Sequence, residues 1–173
     1  MDETSSEVTD TASKDREFAA YMGRRHAGAL RTAYLLCGDH HVAEDVVQTA
    51  FAKLYLAWDK HAPELRDGYL RRIVVNENNS WWRRPWHKRE VATDVLPDGH
   101  APDRGGSGEE LWRLVRQLPR RQRAALVLRY YEELSEAETA AALGVSVGTV
   151  KSQTSRALAA LRIHADDLRE ELS

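Results

Sequence analysis

The sequence predicts an all-α protein: two small helical domains joined by a flexible linker, the C-terminal one containing a helix-turn-helix. Three observations predict it. Apolar residues recur at spacings of three and four, with little β-branched alternation. A stretch rich in Gly and Pro, residues 87–108, divides the chain. Beyond it, Ser135–Arg162 carries the start and stop signals of two closely linked helices. With 173 residues there is room for one medium domain or two small ones, and a small core is marginal unless well packed.

Residues 1–15 are polar and acidic (Asp2, Glu3, Glu7, Asp10, Asp15) and read as a disordered tail. The first domain, 16–86, opens with a helix from about Arg16 to Leu36, with Phe18, Tyr21, Met22, Leu30, Ala33, Tyr34 and Leu36 as candidate core. Gly38 breaks it and Asp39 can cap the next helix, about 40–58, which buries Val42, Val46, Phe51, Leu54 and Trp58. The other face of that helix shows Glu44, Asp45, Gln48 and Lys53. After a loop from Asp59 to Leu65, a third helix is expected over Arg66–Arg84. Tyr69, Leu70, Ile73, Val74 and either Trp81 or Trp82 face inward, and Pro85 ends the helix. The linker, 87–108, could reach about 75 Å at roughly 3.3–3.6 Å per residue, so the halves could occupy distant sites. The second domain, 109–165, begins with a helix from Glu109 and continues through the first-turn proline Pro119 into Arg120–Tyr131. An acidic tail, 166–173, closes the chain.

The helix-turn-helix rests on local chemistry. Ser135 and Glu138 form a capping-box pair, Gly144 supplies a left-handed stop, Val145 is expected to pack inward, and Ser146 can cap the second helix. There Val147, Val150, Thr154, Leu158 and Leu161 form one buried stripe. The opposite face carries Gly148, Thr149, Lys151, Ser152, Ser155 and Arg156. Short hydroxyls with few cations let a helix approach phosphates and base edges; the alternative is an ordinary solvated face.

Several function classes are disfavoured. No apolar run approaches the ~20 residues of a membrane span, and the acidic start is unlike a signal peptide, so a cytoplasmic protein is expected. One cysteine, Cys37, allows no internal disulfide, and its neighbours Asp39, His40 and His41 lack metal-enclosing spacing. No phosphate-binding glycine loop or nucleophile elbow is present, so neither an enzyme nor a cofactor or metal site is expected. The net charge of −2 conceals segregation: acidic ends flank a basic middle that includes Arg66, Arg72, Arg83, Arg84, Arg120, Arg121 and Arg123. Such a chain should bind duplex DNA weakly alone and need a partner. Trp81 to Arg89 interleaves aromatics with cations, a composition suited to single-stranded nucleic acid.

The order of an acidic helix (AEDVVQTAF), a basic helix (YLRRIVVNENNSWWRR), a linker, LPRRQRAALVLRYYEELS and GTVKSQTSRALAALR resembles bacterial extracytoplasmic-function (ECF) sigma factors, in particular the actinobacterial sigma-E-like group. The resemblance covers about residues 16–163. It implies a transcription initiation factor that brings core RNA polymerase to promoter DNA and stabilises a melted −10 strand without catalysis of its own. By it, Glu44, Asp45 and Gln48 would meet the clamp of the largest polymerase subunit, and the C-terminal domain would meet the flap region. Arg66, Arg72, Asn76, Arg83 and Arg84 would serve the −10 element, and Thr149, Lys151, Ser152, Ser155 and Arg156 the −35 element. Of these, Lys151 would contact phosphate or guanine and Arg156 phosphate. An anti-sigma factor is a further possible partner, and no membrane is involved. The chain departs from the commoner pattern at Gln153, where many members carry Arg, and at Thr139, where a larger aliphatic is usual. The first change would bear on promoter preference, the second on packing. The helix-turn-helix segment also resembles LuxR-type regulators, which leaves a stand-alone dimeric DNA binder as the alternative. A pure interaction protein is disfavoured by the basic run and the polar helix face.

Overall fold

The computed structural model describes residues 3–83 and 107–171. The expectations placed on the linker interior, on Arg84 and on Trp86 to Arg89 lie outside the described residues. Among the described residues every regular element is helical, as expected. The first half comprises α1 (Glu3–Cys37), α2 (His40–Leu56), short 3-10 turns at Trp58–Lys60 and Pro63–Leu65, and α3 (Arg66–Arg83). The second comprises α4 (Ser107–Gln117), α5 (Arg120–Leu126) with a π-helical turn at Val127–Tyr131, α6 (Glu136–Leu143) and α7 (Val147–Glu171).

Two boundaries are corrected. Helix α1 begins at Glu3, so the expected disordered tail is helical from there rather than from Arg16. At the expected start, Lys14 pairs with Asp59 and the Tyr55 hydroxyl donates to Asp15, which ties this part of α1 to α2 and the following turn. At the other end α7 continues to Glu171, so Asp166 to Glu171 extend the helix instead of forming a separate tail.

The caps follow the sequence closely. Asp39 accepts from the Val42 amide at 2.9 Å, and the Gly38 turn adopts φ 74. Ser135 and Glu138 form the reciprocal capping box, with amide contacts of 3.1 and 2.8 Å. Those hydrogen bonds hold the Glu138 carboxyl below its ordinary range. Gly144 takes φ 66, where a Cβ would be strained, and Ser146 caps α7 by accepting from the Thr149 amide at 3.1 Å.

The first half closes around a core from α1, α2 and α3 that includes Tyr21, Ala33, Tyr34, Val46, Val47, Phe51, Leu54, Trp58, Leu70, Ile73 and Val74. Phe18 makes edge-on contacts with Phe51, Tyr55 and Trp58, with ring centroids 5.0 to 6.2 Å apart. The Trp58 ring lies 3.6 Å from the Arg66 guanidinium, which also donates to the Trp58 and His61 carbonyls. Three expected core residues face solvent: Met22, Val145 and Val147. Met22 edges a surface groove, and the two valines lie at the α6–α7 turn, so the buried stripe of α7 starts at Val150 and runs on through Thr154, Ala157, Leu158 and Leu161.

The two halves are docked. Leu36 and Val75 of the first half pack with Ala124, Val127, Leu128 and Leu134 of the second in one buried cluster. The fully buried Arg123 donates to the Leu36 carbonyl at 3.2 and 3.3 Å and to the Arg116 and Leu118 carbonyls at 3.4 and 3.1 Å. One guanidinium thus satisfies carbonyls at the ends of two helices, one from each half. Burial lowers the Arg123 pKa to about 10, so it stays charged at neutral pH. The π-helical turn, closed by the Glu132 amide on the Val127 carbonyl, turns the next residues toward the first half. There Arg71 Nε donates to Glu132 at 2.7 Å, Thr32 donates to the same carboxylate, and Arg31 Nε donates to the Tyr131 hydroxyl at 3.1 Å.

Candidate nucleic-acid and polymerase interfaces

Helix α3 buries one face against the core, which leaves Arg72, Asn76 and Arg83 exposed on another. Positions four and seven residues apart fall on one side of a helix, so these three share a solvent face. Arg66 does not join them. It is half-buried over Trp58 and braces the 59–65 segment, which the structure resolves into two 3-10 turns. Trp81 and Trp82 are both half-buried, with rings edge-on at 4.9 Å, and the Trp82 indole lies under the Arg120 guanidinium at 5.8 Å. Either tryptophan satisfies the inward expectation only in part.

Helix α7 presents Lys151, Ser152, Ser155 and Arg156 to solvent. Lys151 Nζ lies 3.6 Å from Glu136, an acidic neighbour contributed by the first turn of α6. Ser152 donates to the Thr149 carbonyl at 3.0 Å. Thr149 itself is engaged with the Ser146 hydroxyl at 2.9 Å and faces the crevice between the halves, along with Gln153 and Arg83. The structure therefore groups four of the five expected α7 residues on the outer face and sets the fifth against the first half. Thr139, the small residue in α6, is completely buried, and its hydroxyl has no hydrogen-bond partner.

On α2, Glu44, Asp45 and Gln48 are all exposed, and Glu44 lies 3.5 Å from His40 one turn earlier. Sequence reasoning missed what lies beside them. Gln48 borders an apolar groove of about 570 Å³ between α1 and α2, lined also by Phe18, Met22, His26, Phe51 and Tyr55. Leu56, at its edge, is 78% exposed. Ala52 and Leu56, four residues apart on α2, were the available signal, but the partner wall from α1 is a tertiary fact. Cys37 is buried, and burial pushes its thiol up to about 12, so it is a core residue without nucleophilic character. Among the described residues no helix is long and apolar enough to cross a membrane.

A two-part helical scaffold, with a helix-turn-helix in one half and a basic helix face in the other, defines a DNA reader of split design. Two family models match the chain: sigma-70 region 2 over residues 14–88 and sigma-70 region 4 over residues 108–161. The RNA polymerase sigma-E factor of Streptomyces avermitilis is 42% identical over 150 residues, covering 84% of this chain and 83% of that protein. The corresponding factor of Streptomyces coelicolor is 41% identical, covering 84% of each. In a co-crystal structure of the Bartonella quintana sigma factor RpoE with the anti-sigma factor NepR, the sigma chain superposes with a TM-score of 0.68 at 25% identity, covering 85% of this chain and 95% of that one. The chain belongs to the sigma-70 family, among its ECF sigma factors. The match over the first half sets aside the LuxR-type alternative, which rested on the helix-turn-helix alone.

Proposed function

We propose that this sigma factor loads onto core RNA polymerase through α2 and the adjoining groove, reads the −35 element with the outer face of α7, and holds the melted −10 strand on α3. The observation that carries the reading is spatial: each of the two sigma segments folds into its own half, and each half exposes its own polar, cation-bearing helix face. Lys151 and Arg156 suit phosphate or guanine contact, and Asn76 offers both a donor and an acceptor to an unstacked base. Arg72 and Arg83 supply charge beside it. The groove with Gln48 on its lining, and Glu44 and Asp45 exposed one turn earlier on α2, suits an amphipathic partner with basic residues, as the polymerase clamp would present, and work in the cytoplasm follows from that partner.

The docked arrangement sets a requirement. Elements named −10 and −35 lie roughly 25 base pairs apart, or about 85 Å at ~3.4 Å per base pair. Thr149 and Arg83, one candidate from each set, line a single crevice. The halves must separate before both elements are read, and polymerase binding supplies the natural occasion.

The test is run-off transcription with core polymerase on a library of promoter fragments. Lys151→Ala should lower transcription from a cognate promoter about tenfold, in line with ~1–3 kcal/mol per good contact, while polymerase binding is unchanged. Replacing Glu44 and Asp45 together with Ala should instead weaken polymerase binding. Weakened polymerase binding in Lys151→Ala, or unchanged polymerase affinity in the Glu44 and Asp45 double variant, would contradict the division of labour.

A further inference from the structure

We propose that Glu136, in the first turn of α6, is a built-in competitor of DNA for Lys151, a positioning residue that keeps the free chain's affinity for duplex DNA low. This rests on the −35 reading of α7 given above and adds a residue to it. Lys151 Nζ lies 3.6 Å from a Glu136 carboxylate oxygen, and the two side chains are 62% and 41% exposed. The pair therefore stands on the surface of the helix-turn-helix, where α7 also presents Ser152, Ser155 and Arg156 to solvent.

The structural roles open to Glu136 are small. The start of α6 is already closed by the Ser135–Glu138 capping box, which does not use the Glu136 side chain. Its charge suits the N-terminal end of that helix, an effect that salt screens and that Glu138 shares. An ion pair this exposed also adds little to the fold, because water screens it and two long side chains must be ordered to make it.

On a surface that meets phosphates the same pair matters more. Before Lys151 reaches a phosphate or a guanine, its ammonium must leave the carboxylate, and that cost falls on every duplex it approaches. Glu136 thus sets affinity and leaves sequence choice to the base contacts. The result is a threshold. Contact with the −35 element is too weak for the chain alone and is made once polymerase holds chain and promoter together, which raises their effective concentration.

The test measures binding of the full-length protein to a labelled duplex bearing a cognate −35 element, by fluorescence anisotropy over a salt series. Lys151 and Arg156 are exposed in the docked chain, so DNA can reach them without separation of the halves. Glu136→Gln should raise affinity about two- to fivefold at low salt. It should also steepen the fall of log affinity with log salt by up to about 0.9, the increment of one further phosphate contact. A role in helix stability alone would move the melting temperature and leave that slope unchanged. In the Lys151→Ala background the gain should shrink to the small residue left by general charge repulsion, whereas in the Arg156→Gln background it should persist. Unchanged affinity and slope in Glu136→Gln would overturn the proposal, as would an equal gain with Lys151 replaced or no duplex binding by either protein at the lowest salt. Run-off transcription separates the two levels: Lys151→Ala without effect there removes the −35 reading itself, while a loss there beside an unaltered Glu136→Gln removes only this inference.

Discussion

The two halves of this molecule are stabilised unequally. The first closes a large aromatic core from its own three helices, with Trp58, Phe51 and Tyr21 packed among aliphatic residues. The second has a modest core of its own, Val115, Leu118, Leu126 and Ala157, and completes the rest with Leu36 and Val75 from the first. The fully buried Arg123 also finds part of its hydrogen bonding on the first half. The difference teaches that the helix-turn-helix rests on the other half while docked, and gives up apolar burial and hydrogen bonds when it leaves. Separation therefore needs a partner that repays that loss, which fits a protein whose reading of DNA is conditional on polymerase.

The comparison can be broken most severely at Arg123. Arg123→Ala leaves the Leu36, Arg116 and Leu118 carbonyls without their donor at ~1–3 kcal/mol for each buried group, partly offset because a charge is no longer buried. A net loss of about 3 kcal/mol in chemical denaturation is expected, with the second half melting first. Val75→Ala is a sharper probe because the residue belongs to the first half but packs against the second. A loss of about 2 kcal/mol is expected from the cavity and lost burial. Hydrogen exchange should rise in α5 and α6 more than in α1 and α2, and the reverse pattern would show that the second half stands on its own core. The smallest effect is a gain: Thr139→Val removes a buried hydroxyl that has no partner and keeps the shape, so thermal denaturation should show about 1 kcal/mol of added stability.

Much of this was legible in the sequence, and the reasons are local. Asp39, the Ser135–Glu138 pair, Gly144 and Ser146 act on their own neighbours, so their roles could be assigned from spacing alone, and all four are found in place. The helical stripes of α2 and α3 were legible for the same reason. What sequence reasoning missed depends on contacts between distant segments. Lys14 and Asp15 of α1 meet Asp59 and Tyr55, and the exposed Met22 reflects a groove wall shared with α2. Arg66 looked like a DNA cation among other arginines, but Trp58 holds it by its ring face. Arg123 was one more basic residue in the middle of the chain, and nothing in its spacing distinguished it as a buried tie between helix ends. Docking of the halves was left open because a linker of that length permits both arrangements.

The central claim, that docked halves separate when polymerase and promoter are engaged, is tested most directly by distances between spin labels. Ser80→Cys on α3 and Ala159→Cys on α7 place labels on exposed positions of opposite halves. The native Cys37 stays unreacted because it is buried and its thiol is pushed up to about 12. A single narrow, short distance is predicted for the free protein, replaced by a long one in the complex with core polymerase and promoter DNA. A short distance that persists in the transcribing complex, or a broad, long distribution in the free protein, would contradict the account.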